Sequence, residues 1–566
     1  MAETSTEGIV AKPLRRLAQV LRLEKKEIGA IYFYAILAGL LQLTVPLGVQ
    51  AVINFVLAGA LSTSMVVLIL MVVIAVFLTG LLQVNQMKIT EKIQQRIFAR
   101  YSFEFAWRIP KLDMQKVDSY YLPEVVNRFF DTISLQKSFS KLLLDIPAAT
   151  IQIIFGLVLL SLYANIFIVF SILVVFLLYL ILKLTVARGL KTSLQESEYK
   201  YEVASWLEEV ARVLKSFRFS KGSSLPVDKT DKIVSNYLDA RTSHFKILML
   251  QYWSLIAFKV LITAGMFIVG SVLLVKNQIN IGQFVAAEIV ILTVLSSIEK
   301  FIQSLDKVYD LLTSLEKLGK VIDKPLEKEG TLKIADDAGK GLKVAMQDMN
   351  FGYTSDRNIV HNAGFELNGS DKACIMGDNG SGKSTLIKLL TGSYHNFEGS
   401  ITIDGVPIGN YDPDSVRAHT GILFNQQDIF QGTLYENIAL GNTAITTAEI
   451  ISLAEKIGLK DFIISLKAGF DTLIEPTGKR LPGGIIRKIL LLRALVGGPR
   501  LLLLEEPWQG FDESSQQLIK QYLINETVNT TCIIITNDEQ FARQCSYVML
   551  MKDGTIIKKG VPSSVL

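Results

Sequence analysis

The sequence predicts a multidomain membrane protein, an all-α domain of six membrane-crossing helices followed by a soluble α/β domain. Three observations predict it. At 566 residues the chain is too long for one soluble core, and 50% of it is apolar. Up to about residue 310, apolar runs long enough to cross a bilayer alternate with long charged stretches. Past a polar, glycine-containing linker, the pattern becomes that of strands and helices in alternation. The predicted boundaries are 1–28 for an N-terminal cytoplasmic or interfacial helix, 29–323 for the membrane domain with long cytoplasmic extensions, 324–341 for the linker and 342–566 for the soluble domain.

Six runs meet the requirement of about 20 apolar residues for a hydrocarbon core of roughly 30 Å: 29–57, 64–86, 139–163, 166–187, 247–275 and 281–305. Very short links join the first and second spans ("LAGALST"), the third and fourth ("YAN"), and the fifth and sixth ("KNQIN"). The other two links run to about fifty or sixty residues. The short links hold one basic residue, Lys276, whereas the long ones carry Lys88, Lys92, Arg96, Arg100, Arg108, Arg128, Arg188 and Arg212 among others. Basic residues stay on the cytoplasmic side, so both termini and both long links of a multi-pass protein are expected there. The same loop placement argues against nucleic acid as the partner of the +5 net charge, and it makes membrane lipid the surrounding medium. No basic start, apolar core and small-residue cleavage site opens the sequence, so no cleaved signal peptide is expected.

The segment Leu14–Glu27 places leucines at helical spacing among basic residues, which suits an interfacial helix or an ordinary solvated one. The long links read as helices continuing past the bilayer. At their turns lie "SYYLPEVVNRFFDTI", where Pro123 and Glu124 start a helix, and "YEVASWLEEVARVLKSF". Each is suited to docking on a soluble domain or to packing against neighbouring helices. Charges inside spans are expensive and need partners or water. Asp145 and Lys259 fall at the same depth, about 25 Å from the outer ends at 1.5 Å per residue, and are expected to pair. Glu288 lies about 10 Å from the outer end of the sixth span, where it lines a translocation path or is hydrated from outside. The three cysteines, Cys374, Cys532 and Cys545, lack metal-ligand spacing and read as reduced and buried.

In the soluble part the decisive stretch is "KACIMGDNGSGKSTLIKLL". Gly377, Gly382, Lys383 and Ser384 satisfy G-x-x-x-x-G-K-[ST], with a strand before and a helix after, the context a phosphate-binding loop requires. Residues Gly377, Asp378, Asn379, Gly380, Ser381, Gly382, Lys383, Ser384 and Thr385 are therefore expected to wrap the phosphates of ATP. Lys383 neutralises the β and γ phosphates, and Ser384 ligates Mg²⁺. The fold of this part is accordingly an α/β P-loop NTPase. "LLLLEE" (Leu501–Glu506) reads as a buried strand delivering two carboxylates to its tip.

With these motifs in place the chain resembles an ABC exporter half-transporter, six spans fused to one ATPase domain, over nearly its whole length. Within that family it is most similar to the type I secretion branch of haemolysin and bacteriocin exporters. "PLGVQAVINFVL", "INIGQFVAA" and "SLEKLGKVIDKPLE" carry that likeness. The peptidase domain of bacteriocin exporters is not expected, since about 28 residues precede the first span and no cysteine precedes Cys374. The resemblance implies roles for individual residues. Tyr353 would stack on adenine; Leu481, Pro482, Gly483 and Gly484 would stand as the signature segment facing the ATP of a second subunit. Glu506 would be the general base, Glu505 would hold Mg²⁺ through water, and Asp512 would end the loop that contacts the partner.

The departures concern the same site. Glu505 replaces an aspartate, and Asn425 stands where the γ-phosphate-sensing, metal-contacting glutamine is expected, with Gln426 one step away. Pro482 replaces the signature serine, and Asn537 replaces the switch histidine. The four histidines are His244, His361, His395 and His419, so none follows Glu506. Losing one preorganised donor typically costs 10²–10³ in rate, roughly 3–4 kcal/mol. The expected function is thus a slow ATP-driven exporter acting as a dimer, a homodimer in preference to a heterodimer. The cargo would be a polypeptide if a membrane-fusion adaptor and an outer-membrane channel work with it. The alternatives are the ATP-binding weak half of a heterodimeric lipid, drug or peptide exporter, and a non-transporting ATP-switched regulator.

Overall fold

The computed structural model describes residues 6–59, 63–118, 121–328, 330–335, 339–354, 357–425 and 427–566, with side chains from Pro13 onward. The chain divides into two compact units, Met1–Pro110 with Tyr120–Lys324, and Lys111–Ser119 with Pro325–Leu566.

The first unit is all helical. An amphipathic helix α1 (Thr6–Leu23) leads to α2 (Lys25–Gln42) and α3 (Thr44–Leu57), which together make the first apolar span. The break at Leu43 follows from Pro46, which lacks an N–H and whose ring excludes the carbonyl four residues earlier, that of Gln42, from a continuous helix. The remaining spans lie in α4 (Thr63–Arg108), in α7 (Asp131–Ser161), in α8 (Ile166–Arg212), in α10 (Leu225–Val275) and in α11 (Ile281–Ile322). Between them lie the short helices α5 (Met114–Val117), α6 (Leu122–Asn127) and α9 (Leu214–Arg218). Among the described residues six helical segments are long and apolar enough to cross a membrane. Their polar continuations show that the charged links are indeed helix rather than slack loop.

Helix α11 is the organising element, packing against α7, α8, α10 and α3. Its approach to α7 depends on Gly156, where a Cβ would come within 2.6 Å of Val294. Lipid tails are as apolar as leucine, so specific polar contacts help to select helix pairs. Gln152 of α7 donates to Gln42 of α2 and accepts from Ser297 Oγ of α11 at 2.6 Å. Glu288 is half-buried, and its Oε2 is buried without a hydrogen-bond partner among the described residues.

The expected Asp145–Lys259 pair does not form. Lys259 Nζ instead meets Glu299 Oε2 at 2.6 Å, and Asp145 pairs with Lys141 at 3.1 Å, one turn away on its own helix. Depth counting fixes a height and leaves the direction of a side chain open; α11 packs on both α7 and α10 and supplies the nearer partner. Lys259→Glu and Glu299→Lys should each lower stability by about 1–3 kcal/mol, between the values for exposed and buried pairs. The double reversal should recover most of it in a thermal melt of the purified protein. Additive losses would exclude the pair as a stabilising contact.

The two anticipated docking pieces also resolve differently. Leu122–Asn127 buries Val125 in the first unit's core and leaves Val126 exposed. The second piece uses Trp206 internally, edge-on to Phe217 at 6.1 Å and donating to Thr230 Oγ1 at 3.1 Å, while Leu207 and Leu214 stay exposed. The segment that joins the second unit is instead Lys111–Ser119, just upstream of the expected one. There the Asp113 N–H donates to Pro325 O at 3.1 Å, and Gln115 Oε1 accepts from the Asn396 N–H at 3.2 Å. A four-residue helix has no hydrophobic period to read, so this segment escapes sequence analysis.

Helix α1 packs on α11, where Arg16 pairs with Glu316 and Asp323 and Val20 is buried.

The second unit is α/β. Its strands are β1 (Val344–Phe351), β2 (Val360–Leu367), β3 (Lys372–Gly377), β4 (Glu398–Ile403), β5 (Val406–Pro407) and β6 (Thr420–Leu423). There follow β7 (Gly432–Thr433), β8 (Leu473–Ile474), β9 (Leu501–Glu505), β10 (Thr531–Ile535), β11 (Tyr547–Lys552) and β12 (Thr555–Gly560). A six-stranded sheet runs β12-β11-β3-β10-β9-β6, parallel except for β12, and a four-stranded antiparallel sheet runs β2-β1-β4-β5. Strands β9 and β10 are buried at every residue, as parallel strands covered on both faces must be. Cys374, Cys532 and Cys545 are free and buried. The helices that matter below are α12 (Lys383–Leu389), α13 (Gly483–Leu495) and α14 (Glu513–Gln521).

Candidate functional site

Strand β3 ends at Gly377 and α12 begins at Lys383, so residues 378–382 turn between them at the C-terminal end of the parallel sheet, where α/β sheets place their ligands. The turn needs glycine. Gly377, Gly380 and Gly382 have φ of 143°, 83° and 95°, and a Cβ on Gly377 would sit 2.0 Å from Met551 O. Asp378, Asn379 and Gly380 form the exposed lip, and Ser381 and Thr385 lie buried beneath it. Lys383 is buried and donates to Gly377 O at 2.6 Å and to Asp378 O at 2.7 Å. Burial pushes its ammonium below the usual lysine range, opposed by the charges of Glu506, Asp378 and Glu505. Tyr353 stands edge-on to Phe351 and Tyr394, at 5.2 and 5.7 Å, with its hydroxyl 3.4 Å from Thr385 Oγ1.

Strand β9 carries Glu505 to its buried tip. Its two oxygens are both engaged, Oε1 by the Ser384 hydroxyl and Oε2 by the Asn425 N–H at 3.0 Å. The methylene that distinguishes glutamate from aspartate is thus spent on reaching Ser384 itself. Glu506 follows at φ 45°, in the left-handed region, with its N–H on Ile535 O at 2.9 Å. Burial raises its carboxyl above the ordinary range, against a hydrogen bond from Thr536 and the charges of Lys383 and Arg487. Asn537 Oδ1 accepts from the Gly377 N–H at 3.0 Å, which ties the end of β10 to the start of the phosphate loop. The side chains of Lys383, Ser384, Glu505, Glu506 and Asn537, and the backbone of Asn425, thereby meet at one place. Gln426 lies outside the described residues.

In the segment Leu481, Pro482, Gly483 and Gly484 the backbone hydrogen bonds are local: the Leu481 N–H donates to Gly478 O at 2.7 Å, and Pro482 O accepts from the Ile485 N–H at 2.9 Å. Pro482 stands just before α13 as its cap residue, and Gly483 opens the helix. Pro482 and Gly483 are exposed. Asp512 caps α14, accepting from the Ser515 N–H at 2.9 Å. Hydrogen bonds from Ser514 and Ser515 hold its carboxyl well below the usual carboxylate range.

Two features were missed in the sequence. Arg487 Nη2 donates to the carbonyls of Glu505 and Glu506, at 2.5 and 2.9 Å. Thr536 lies close enough to the Glu506 carboxylate to oppose its upward pKa shift. The signal for Arg487 was present: a charge among the apolar residues of "GGIIRKILLL" needs a specific acceptor. Thr536 gave none.

These residues fit a nucleotide with its metal. The glycine turn leaves a cradle that a Cβ would fill, a lysine stands within it, and the hydroxyl of Ser384 and the carboxylate of Glu505 are the hard oxygen donors Mg²⁺ prefers. Among the described residues no group of three or more His, Cys, Asp or Glu side chains gathers to hold a metal elsewhere.

A family model described as "ABC transporter" matches residues 360–509, and one described as "ABC transporter transmembrane region" matches residues 28–298. The chain is similar to the "ATP-dependent lipid A-core flippase" of Saccharophagus degradans, 31% identical over 41% of this chain and 39% of that protein. It is also similar to the "Alpha-hemolysin translocation ATP-binding protein HlyB" of Escherichia coli O157:H7, 30% identical over 43% of this chain and 34% of that one. In each case it spans well under two thirds of the relative's length. The structure of a bacterial Atm1-family ABC exporter with ATP bound superposes with a TM-score of 0.84 at 20% identity, covering 96% of this chain and 97% of the other, which is a likeness of fold.

Proposed function

We propose that this chain, in which an ABC transporter transmembrane region and an ABC transporter ATPase region are matched in one polypeptide, is one half of an ATP-driven exporter of that family that works as a dimer. The observation that carries this is the convergence of Lys383, Ser384, Glu505 and Glu506 at the end of the parallel sheet, in a chain with six apolar spans. Lys383 and the loop N–H groups would bind the phosphates, Tyr353 would stack on the base, and Glu506 would take the proton of the attacking water. Ser384 and Glu505 would hold Mg²⁺, which supplies charge neutralisation at the phosphates. The exposed start of α13 at Pro482 and Gly483 would face the nucleotide of the second copy, drawing the two ATPase domains together. The basic residues of the long links support a reading with both termini in the cytoplasm of a bacterial inner-membrane protein.

A polypeptide cargo, with an adaptor and an outer-membrane channel, rests on the likeness to the haemolysin translocation protein; a lipid-flippase relative matches at similar identity. Pro482 and Asn537 favour a second reading, the weak half of a heterodimer. The test is phosphate release by the purified chain alone in lipid nanodiscs. Magnesium-dependent turnover is expected. Tight ATP binding without turnover, or an equal amount of a different ATPase subunit purified from the native membrane, would replace the homodimer by the heterodimer.

A further inference from the structure

Helix α13 begins at the exposed Gly483 and, one turn later, sends Arg487 inward to the tip of β9. One guanidinium nitrogen, Nη2, serves two consecutive carbonyls, those of Glu505 and Glu506. The second belongs to a residue at φ 45°, a conformation that L side chains rarely adopt and that persists where the surroundings over-determine it. Arg487 Nε is meanwhile buried without a hydrogen-bond partner among the described residues. A buried donor left without a partner needs an explanation beyond packing. Planar, always charged and rigid in its fork, arginine is suited to hold two carbonyls at a fixed spacing.

We propose that Arg487 is a positioning residue, which fixes the turn of Glu506 and makes that carboxylate and the Gly483 end of α13 move as one body. It rests on the reading of Glu506 as the base of ATP hydrolysis. Contact of Gly483 and Gly484 with a second copy's nucleotide would then be felt at Glu506 in the same chain, linking closure at one site to chemistry at the other.

The experiment uses the full chain in nanodiscs, with Arg487→Gln and Arg487→Lys. Arg487→Gln should lower kcat roughly 10²-fold, the size of loss expected from misplacing a reacting group by about 1 Å, with KM held within about 2-fold. Arg487→Lys keeps a donor and the charge but loses the planar fork, and should recover part of kcat. Hydrogen exchange supplies a readout without turnover. On adding ATP and Mg²⁺, wild type should gain protection in peptides 481–486 and 504–508 together, and Arg487→Gln only in the first. Equal protection of both peptides in Arg487→Gln, or an unchanged kcat, would overturn the proposal. A wild type that binds ATP but never hydrolyses it would instead remove the hydrolysis reading, and the exchange result would still decide Arg487.

Discussion

Glu506→Gln lowers phosphate release by roughly 10²–10⁴-fold, the range for loss of a positioned general base, while ATP affinity is kept. Glutamine preserves the size of the side chain and its capacity to accept from Thr536, so the strand tip and its grip by Arg487 stay in place. What is lost is a carboxylate able to take a proton. The base must be ionised to act, and burial has raised its pKa above the ordinary carboxylate range. Hydrolysis should therefore fall as pH drops through that raised value, at a higher pH than for a solvated glutamate, and the limb should vanish in the variant. A colourimetric phosphate assay across pH on both proteins, with ATP affinity measured in parallel, checks the magnitude and the sign together. Turnover within a few-fold of wild type would give the catalytic role to another group.

Lys383→Ala weakens ATP binding roughly 10- to 100-fold, the equivalent of about 1.5–3 kcal/mol for hydrogen bonds to a charged group, and takes hydrolysis with it. The side chain is buried, and two carbonyls of the loop, those of Gly377 and Asp378, accept from it. Alanine leaves both without that donor, so the loop itself should loosen. The measurement is titration with a fluorescent ATP analogue alongside a thermal melt. A large loss of affinity with a small change in melting temperature assigns the effect to phosphate binding; a collapse of the melt assigns it to the loop.

Much of the site is legible in the sequence because its parts are local. A phosphate loop is one stretch of backbone between a strand and a helix, so the spacing of Gly377, Gly382, Lys383 and Ser384 carries its shape. The strand tip reads as readily, since four leucines before two glutamates have the pattern of a buried strand ending in charge. The contacts between distant segments were not legible. Asn537 meets Gly377 across 160 residues of sequence, and Ser384 meets Glu505 across 121. Helix α13 reads as a strip of apolar residues, and nothing local says that Arg487 turns toward two particular carbonyls. The same limit governed the spans: their length and charge were plain, and the pairing of Lys259 with Glu299 instead of Asp145 was not.

The sequence by itself determined which segments cross the membrane, where the phosphate loop lies, and which departures the site carries, because hydrophobic length, backbone freedom at glycine and side-chain identity are properties of the local chain. Only the tertiary structure decided that Glu505 closes on Ser384, that Arg487 holds the turn of Glu506, and that Lys111–Ser119 rather than Leu122–Asn127 joins the ATPase unit. Those outcomes depend on the direction in which side chains leave packed helices and strands, which spacing along the chain does not encode.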